Sequence, residues 1–439
     1  MSGVSLLLSF IGCRAMKETV IALCDCQSFY CSCESVFEPR LWSTPLVVLS
    51  NNDGAIVALN EAAKALGVKK FEPFFKFRHL MHTANLQARS SNYTLYNDLS
   101  SRVMETLRLF SPAVERYSID EAFFALDHVP AHSRSDYARQ IRATLQQHTG
   151  IPTRIGIAET KTLAKVALSF AKRFPALDGV LDITGSAQQQ ELLAALPIAD
   201  VWGIGQRWGR FLSAEGIETA LKLRDAPQSW VRQKLSVVGL RTSLELRGCP
   251  CLHLELQAPP RKSMMVSRSF GQPVRSLQEL QEAIATFTAK AAHKLRQERL
   301  VAGMITVFAH TSRFKENYYK NSAKCHLWIA SNHTPTLLKY AMVLVEKIWR
   351  EEVEFKKAGV LLTRITDQGV IQLSLFEDFS FEDTRPQQLM QVVDELNSLS
   401  GQDVVHFAAM GTEQRWQTRA QFRSNRWTTR WEEIPIVKA

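Results

Sequence analysis

A chain of 439 residues of which 46% are apolar can bury ordinary cores, which excludes a disordered or fibrous protein and leaves room for roughly three to five domains. Its 53 Lys and Arg against 43 Asp and Glu leave a net +10, which favours a polyanionic partner such as nucleic acid, an acidic membrane face or an acidic protein. The eight cysteines follow no disulfide framework, so a reducing cytoplasm is the expected compartment.

The first apolar stretch, Ser5-Leu-Leu-Leu-Ser-Phe-Ile11, has no basic segment ahead of it and is too short to span a bilayer. Residues 1–19 read as an N-terminal extension with Met16 as an alternative start, and no membrane association is expected. Residues 20–24 form a short buried strand that runs straight into Asp25. Cys24 and Cys26 point together, opposite Asp25, and fit as small core residues; with Cys31 and Cys33 they also leave a zinc site open. Residues 46–49 are a second strand and 60–66 a helix ending at Gly67. Residues 98–110 form an amphipathic helix with Leu99, Val103, Met104 and Leu107 on one face.

Residues 114–126 read as two strands around Asp120 and Glu121, followed by a helix at 137–147, a strand at 153–158 and a helix at 160–172 bearing Lys161, Lys165 and Lys172. This alternation predicts an α+β domain to about residue 185, then a helical section to about 257. Residues 258–262 (Ala-Pro-Pro-Arg-Lys) are an extended linker. A smaller sheet-and-helix domain follows, from 264–270, helix 277–299, strand 303–310, helix 335–350 and strand 360–365. From 366 the chain holds an apolar pentapeptide, one helix, and Arg alternating with Trp.

Three acids carry the chemistry. Adjacent residues of a regular strand face opposite ways, so Asp120 and Glu121 reach one site only at a turn or bulge. The apolar strand at 122–126 favours a hairpin there, with Asp25 ending a neighbouring strand. Brought together, the three would cage divalent cations, and two such ions about 4 Å apart can clamp the attacking and leaving oxygens of an in-line phosphoryl displacement. Taken alone, Asp120 and Glu121 also fit ordinary turn acids.

Their surroundings narrow the choice. Asp25-Cys-Gln-Ser-Phe-Tyr30, Tyr117-Ser-Ile-Asp-Glu-Ala-Phe123 and Gly156-Ile-Ala-Glu-Thr-Lys-Thr-Leu-Ala-Lys165 together resemble the Y-family of translesion DNA polymerases. Ser50-Asn-Asn-Asp-Gly54, Ala63-Lys-Ala-Leu-Gly-Val68, Ser90-Ser-Asn-Tyr-Thr-Leu-Tyr96 and Val201-Trp-Gly-Ile-Gly205 are similar to its UmuC type, that of the catalytic subunit of bacterial DNA polymerase V. The resemblance runs from about residue 20 to the C-terminus.

It implies an α+β multidomain right hand: palm (20–33 and 96–185), fingers (34–95), a helical thumb with a helix-hairpin-helix (186–257), a linker (258–263), an α/β little finger (264–365) and a partner-binding tail (366–439). The implied activity is error-prone, DNA-dependent DNA synthesis across lesions in SOS mutagenesis, by two-metal-ion nucleotidyl transfer. Rivals are an inactive DNA-binding factor of the same fold and a two-metal nuclease. Asp25, Asp120, Glu121 and the backbone carbonyl of Cys26 match the ligands of two Mg²⁺ ions. Tyr30 matches the steric gate under the sugar, with Phe29 packing under the nucleotide or into the core. Lys64 and Lys172 match cations near the triphosphate, whereas Lys161 and Lys165 read equally well as solvated charges. Two departures, Glu61 in place of the frequent Tyr and Gln27 in place of the frequent Asn, bear on the triphosphate contacts and leave the carboxylates untouched.

Gly203 and Gly205 would let backbone N–H groups approach a DNA phosphate. Lys290, Lys294, Arg296 and Arg299, with Arg313, Lys315, Lys320 and Lys324, form the best basic patch for the primer–template. Gln372, Leu373, Ser374, Leu375 and Phe376 resemble the pentapeptide that binds the bacterial sliding clamp; a strand is the alternative. The Arg- and Trp-rich end fits either nucleic-acid stacking or, by resemblance, a UmuD-type accessory dimer and RecA.

Overall fold

The computed structural model describes residues 20–369, 385–400 and 404–436. These residues divide into two units, one of residues 20–49, 55–258 and 423–436, the other of residues 50–54, 259–369, 385–400 and 404–422.

The first unit is built on a five-stranded sheet. β1 (Ile21–Cys26) lies between β6 (Glu121–Ala125) and β7 (Thr153–Ala158) and is antiparallel to both; β5 (Val114–Arg116) and β8 (Val180–Asp182) close the edges. The period-2 alternation of β1 sorts its side chains cleanly. Val20, Ala22, Cys24 and Cys26 enter a core with α4 (Tyr93–Arg108) and α5 (Arg134–Thr149). Ile21 and Leu23 enter a second core with α6 (Lys161–Arg173), the face to which Asp25 also belongs by parity. Cys24, Cys26, Cys31 and Cys33 are all buried in the first core. Ser28, in the left-handed region at φ 44°, turns the chain from β1 into α1 (Phe29–Phe37). A three-stranded sheet sets β2 (Leu46–Leu49) between antiparallel β3 (Ile56–Leu59) and parallel β4 (Gln87–Ser90). The short α2 (Glu61–Ala65), capped by Asn60, and α3 (Leu80–Thr83) connect it.

Helix α6 is set against β7 by the absence of a side chain. A Cβ on Gly156 would stand 2.3 Å from the Leu168 nitrogen and 2.5 Å from the Ala164 carbonyl oxygen, so only glycine allows the helix so close. The α6 N-terminus is tied down by the buried Glu245: its carboxylate accepts from the Thr162 N–H and hydroxyl, both at 2.9 Å, and from the Cys251 and Leu252 N–H groups, both at 2.9 Å. Glu245 lies on α10 (Gln228–Leu246), the last of a helical series with α7 (Gln189–Ala195), α8 (Gln206–Ala214) and α9 (Ala220–Asp225). Between α7 and α8 the chain turns at Gly203, φ 89°.

The second unit is a four-stranded antiparallel sheet in the order β11-β10-β12-β9, formed by β9 (Ser263–Val274), β10 (Leu300–His310), β11 (Lys320–Ser331) and β12 (Phe355–Asp367). Helices α11 (Leu277–Gln297) and α12 (Thr334–Ile348) cover one face. The edge strand β11 escaped the sequence reading because its alternation is of polar and half-buried residues with little apolar weight. Helix α13 (Arg385–Ser400) adjoins α11 through Asp394, which takes both Arg296 and His293. Trp416 is buried against Phe270 and Phe287, and its carbonyl accepts from Gly271 N–H at 3.1 Å. Asp394 and Trp416, both in the stretch expected to be a partner-binding tail, thus find packing partners within their own chain.

Candidate active site

The backbone brings the three acids to one end of the central sheet. Asp25 on β1 stands directly opposite Glu121 on β6. Asp120 closes the turn between β5 and β6, and its carbonyl accepts from Cys26 N–H at 2.9 Å. The turn is the device that adjacent acids require: Tyr117 N–H and Ser118 N–H both bond the Glu121 carbonyl, at 3.1 and 3.0 Å. Ser118 organises it further. Its hydroxyl lies 2.6 Å from Asp120 Oδ1 and accepts from the N–H groups of Asp120 and Glu121 at 3.2 and 3.0 Å.

Each carboxylate has its own counter-group. Lys172 Nζ is 2.8 Å from Asp25 Oδ2, and Lys165 Nζ is 3.0 Å from both oxygens of Glu121. Both lysines come from α6, one face of which the close approach at Gly156 presses toward β1 and β7. Burial raises the Asp25 carboxyl above its ordinary value, Lys172 opposes the rise, and repulsion from Glu121 and Asp120 adds to it. The repulsion records how close the three acids lie. As they stand, the carboxylates are drawn to separate partners, and among the described residues no three His, Cys, Asp or Glu side chains form a metal-holding group. The donor set nevertheless fits a hard divalent cation: three carboxylates on adjoining backbone positions, mutually repelling and already balanced by two ammonium groups.

Lys165, which the sequence reading left as equally well solvated, is held in an aromatic box. Its ammonium lies 4.6 Å from the Tyr117 ring centre and 5.5 Å from that of Trp202, and Trp202 Nε1 donates to the Tyr117 hydroxyl at 3.1 Å. Glu121, Lys165, Lys172, Ser169 and Trp202 line a pocket of ≈ 220 Å³. Lys161 is buried instead, with its ammonium 2.5 Å from Glu115. Sequence reasoning missed Ser118, Tyr117, Lys165 and Trp202 as members of the site. All four lie inside the quoted motifs, which was the available signal.

Tyr30 projects from α1 and lies flat against Tyr96 of α4, centroids 4.6 Å apart, while Phe29 is buried. Lys64 is exposed and 2.6 Å from Glu61, the residue that departs from the family pattern. Gly203 and Gly205 flank the turn into α8.

In the second unit the expected basic patch is split by the layers. Lys320 and Lys324 are exposed on the edge strand, whereas Lys290, Lys294 and Arg296 belong to α11, which covers the opposite face of the sheet, and Arg299 follows it. Arg296 is committed internally, to both oxygens of Asp394 and to the Asn332 carbonyl at 2.7 Å. Residues 372–376 lie outside the described residues. No helix among the described residues is long and apolar enough to cross a membrane.

Comparison with known proteins gives three matches along the chain. The impB/mucB/samB family profile matches residues 24–169, the C-terminal domain profile of the same family residues 261–375, and a domain of unknown function (DUF4113) residues 387–437. Protein UmuC of Salmonella typhimurium (strain LT2) is 42% identical over 423 residues, which is 95% of this chain and 100% of that protein. Protein ImpB of Salmonella typhimurium is 39% identical over 95% of this chain and 100% of its own. DNA polymerase IV of Bacillus velezensis is 26% identical over 92% of this chain and 96% of its own.

Proposed function

The chain belongs to the impB/mucB/samB family and is a DNA-directed DNA polymerase of the UmuC type, acting in translesion synthesis and mutagenesis; from that premise we propose which of its residues do the chemistry. Asp25, Asp120 and Glu121 are the catalytic carboxylates. The observation that carries this reading is the facing of Asp25 and Glu121 across β1 and β6 with Asp120 in the adjoining turn, two lysine ammoniums being drawn to the cluster. Asp25, Cys26 (through its carbonyl), Asp120 and Glu121 would hold two Mg²⁺ ions, which when bound supply Lewis acidity to the primer 3′-hydroxyl and the triphosphate.

The remaining steps belong to the chain itself. Lys172 favours the ionised form of Asp25, and Lys165 holds Glu121 in place by equal contact with both its oxygens. The same ammoniums border the pocket on α6, where an incoming triphosphate would find positive charge. Ser118 fixes the turn that presents Asp120. Tyr30 lies under the sugar and excludes a 2′-hydroxyl, its ring held by Tyr96, and Phe29 supports it from the core. The division into palm, fingers, thumb and little finger follows the family. The thumb's Gly203 and Gly205 would meet a DNA phosphate, and in the little finger the exposed Lys320 and Lys324 suit the duplex better than the committed Arg296. Primer–template DNA and deoxynucleoside triphosphates are the substrates; a sliding clamp at residues 372–376, a UmuD-type dimer and RecA are the proposed partners.

Primer extension over a damaged template tests the reading. Pyrophosphate release with Mg²⁺, lost in Asp120→Ala, is the expected result. Release of nucleotides from the DNA instead would identify a nuclease, and DNA binding without either product an inactive factor.

A further inference from the structure

The segment after residue 422 belongs to the first unit and packs on the two helices that frame Tyr30. Its contacts form one continuous path. The Tyr30 ring lies on Tyr96, 4.6 Å away and 20° from parallel, and Tyr93 stands edge-on to both at 6.1 and 6.2 Å. The Tyr96 hydroxyl donates to Glu34 Oε1 at 2.6 Å, and the same oxygen accepts from the Ser424 hydroxyl at 3.0 Å. Asn92, which precedes α4, clamps the segment: its Nδ2 donates to the Ser424 carbonyl at 3.2 Å, the Ser424 hydroxyl at 3.0 Å and the Asn425 carbonyl at 3.0 Å. Trp427 stacks on Phe37, the last residue of α1, at 4.9 Å and 20°. Glu34, Asn92 and Tyr96 are fully buried, so these hydrogen bonds exchange with no water.

We infer that this C-terminal segment is an internal brace for sugar selection, with Ser424 a positioning residue that acts on the Tyr30 ring through Glu34 and Tyr96. The inference rests on the reading of Tyr30 as the steric gate. Exclusion of one hydroxyl depends on where a ring edge stands to within a fraction of an ångström. That edge is set by the neighbouring rings: Tyr96 stacks on Tyr30 at the shortest distance, with Tyr93 edge-on and Phe29 tilted beside it. Tyr96 in turn is fixed at its far end by Glu34, and Glu34 Oε1 by Ser424. Among the described residues no group donates to Glu34 Oε2, and Arg89 Nε stands 3.9 Å from it, so the orientation of this carboxylate depends on the two hydroxyls. A segment some 390 positions away in sequence from α1 thereby sets the geometry of its gate.

The test is the ratio of deoxynucleotide to ribonucleotide incorporation efficiency by the full-length protein. Ser424→Ala and Tyr96→Phe should each lower the ratio roughly three- to tenfold, the effect of one lost buried hydrogen bond, while deoxynucleotide incorporation stays within about threefold of wild type. Ser424→Thr, which retains the hydroxyl, should restore the ratio. The double variant Ser424→Ala/Tyr96→Phe should lose less than the product of the singles, because both act through one oxygen. If Tyr30→Ala lowers the ratio but Ser424→Ala and Tyr96→Phe leave it at wild type, the gate stands and the brace is overturned. If the two variants lose activity on both sugars equally, the role is structural and the brace is again overturned. An unchanged ratio in Tyr30→Ala would remove the gate and the brace together.

Discussion

Replacing Glu34 by Gln should remove a pH dependence of stability from the first unit. The Glu34 carboxyl is fully buried, and burial is the largest influence on it; hydrogen bonds from Tyr96 and Ser424 and the Arg89 charge oppose burial, and Glu38 adds to it. The balance pushes its pKa from 4.5 up to about 7. A carboxyl raised in the folded state ionises more readily unfolded, so its contribution is present below pH 4.5 and is lost as pH rises toward about 7. At about 1.4 kcal/mol per pH unit the displacement amounts to roughly 3 kcal/mol. Glutamine keeps an oxygen for Tyr96 and Ser424 and cannot ionise. Native-state hydrogen exchange of amides in α1 and α4, corrected for intrinsic rates, reads the unit that holds this group. Between pH 4.5 and 8 the protection of wild type relative to Glu34→Gln should fall by roughly two orders of magnitude. A relative protection that stays constant over that range would refute both the burial and the linkage.

Asp120→Ala should abolish nucleotide addition while circular dichroism and the melting temperature stay near wild type, since Asp120 is a half-buried turn residue outside the core; primer extension with Mg²⁺ decides it. Gly156→Ala should cost about 1–3 kcal/mol by overpacking and should slow nucleotide addition as well, because the backbone it would strike belongs to the helix that carries Lys165 and Lys172. Wild-type denaturation and wild-type rates in that variant would mean that α6 can yield without disturbing the site. Deleting residues 372–376 should remove clamp-stimulated synthesis and spare synthesis without clamp; equal stimulation in the deletion would end the clamp assignment.

Much of the site was legible because its signals are local. The parity of Cys24, Asp25 and Cys26 on one strand fixed which of them faces the core, and the cores follow it. Two consecutive acids before an apolar run required a turn, and Ser118 builds that turn. The close approach at Gly156 left no such signal, because the backbone it meets, the middle of α6, lies outside any local pattern. Helix ends were less legible. The helix placed at 98–110 begins at Tyr93, and its first turn carries Tyr93 and Tyr96, which meet edge-on where an apolar count shows no periodicity.

What stayed hidden depends on partners far away in sequence. Lys161 and Lys165 sit one turn apart on the same helix and carry the same charge, yet one is sealed against Glu115 and the other is boxed by Tyr117 and Trp202 beside the turn that holds Asp120. Periodicity says which lysines share a face and is silent on what that face meets. The basic residues of α11 pose the same difficulty. Lys290, Lys294 and Arg296 gather in sequence near Lys320 and Lys324, but a helix packed on a sheet shows its charges on the side away from the sheet's open face. Charge adjacent in sequence is thus spread over two opposite surfaces, and Arg296 is neutralised by Asp394, which no pattern within α11 could have supplied. A duplex laid on the open face would therefore draw on Lys320 and Lys324, so neutralising those two should reduce the salt dependence of DNA binding more than neutralising Lys290 and Lys294. Equal losses from both pairs would mean that the DNA does not choose between the two faces.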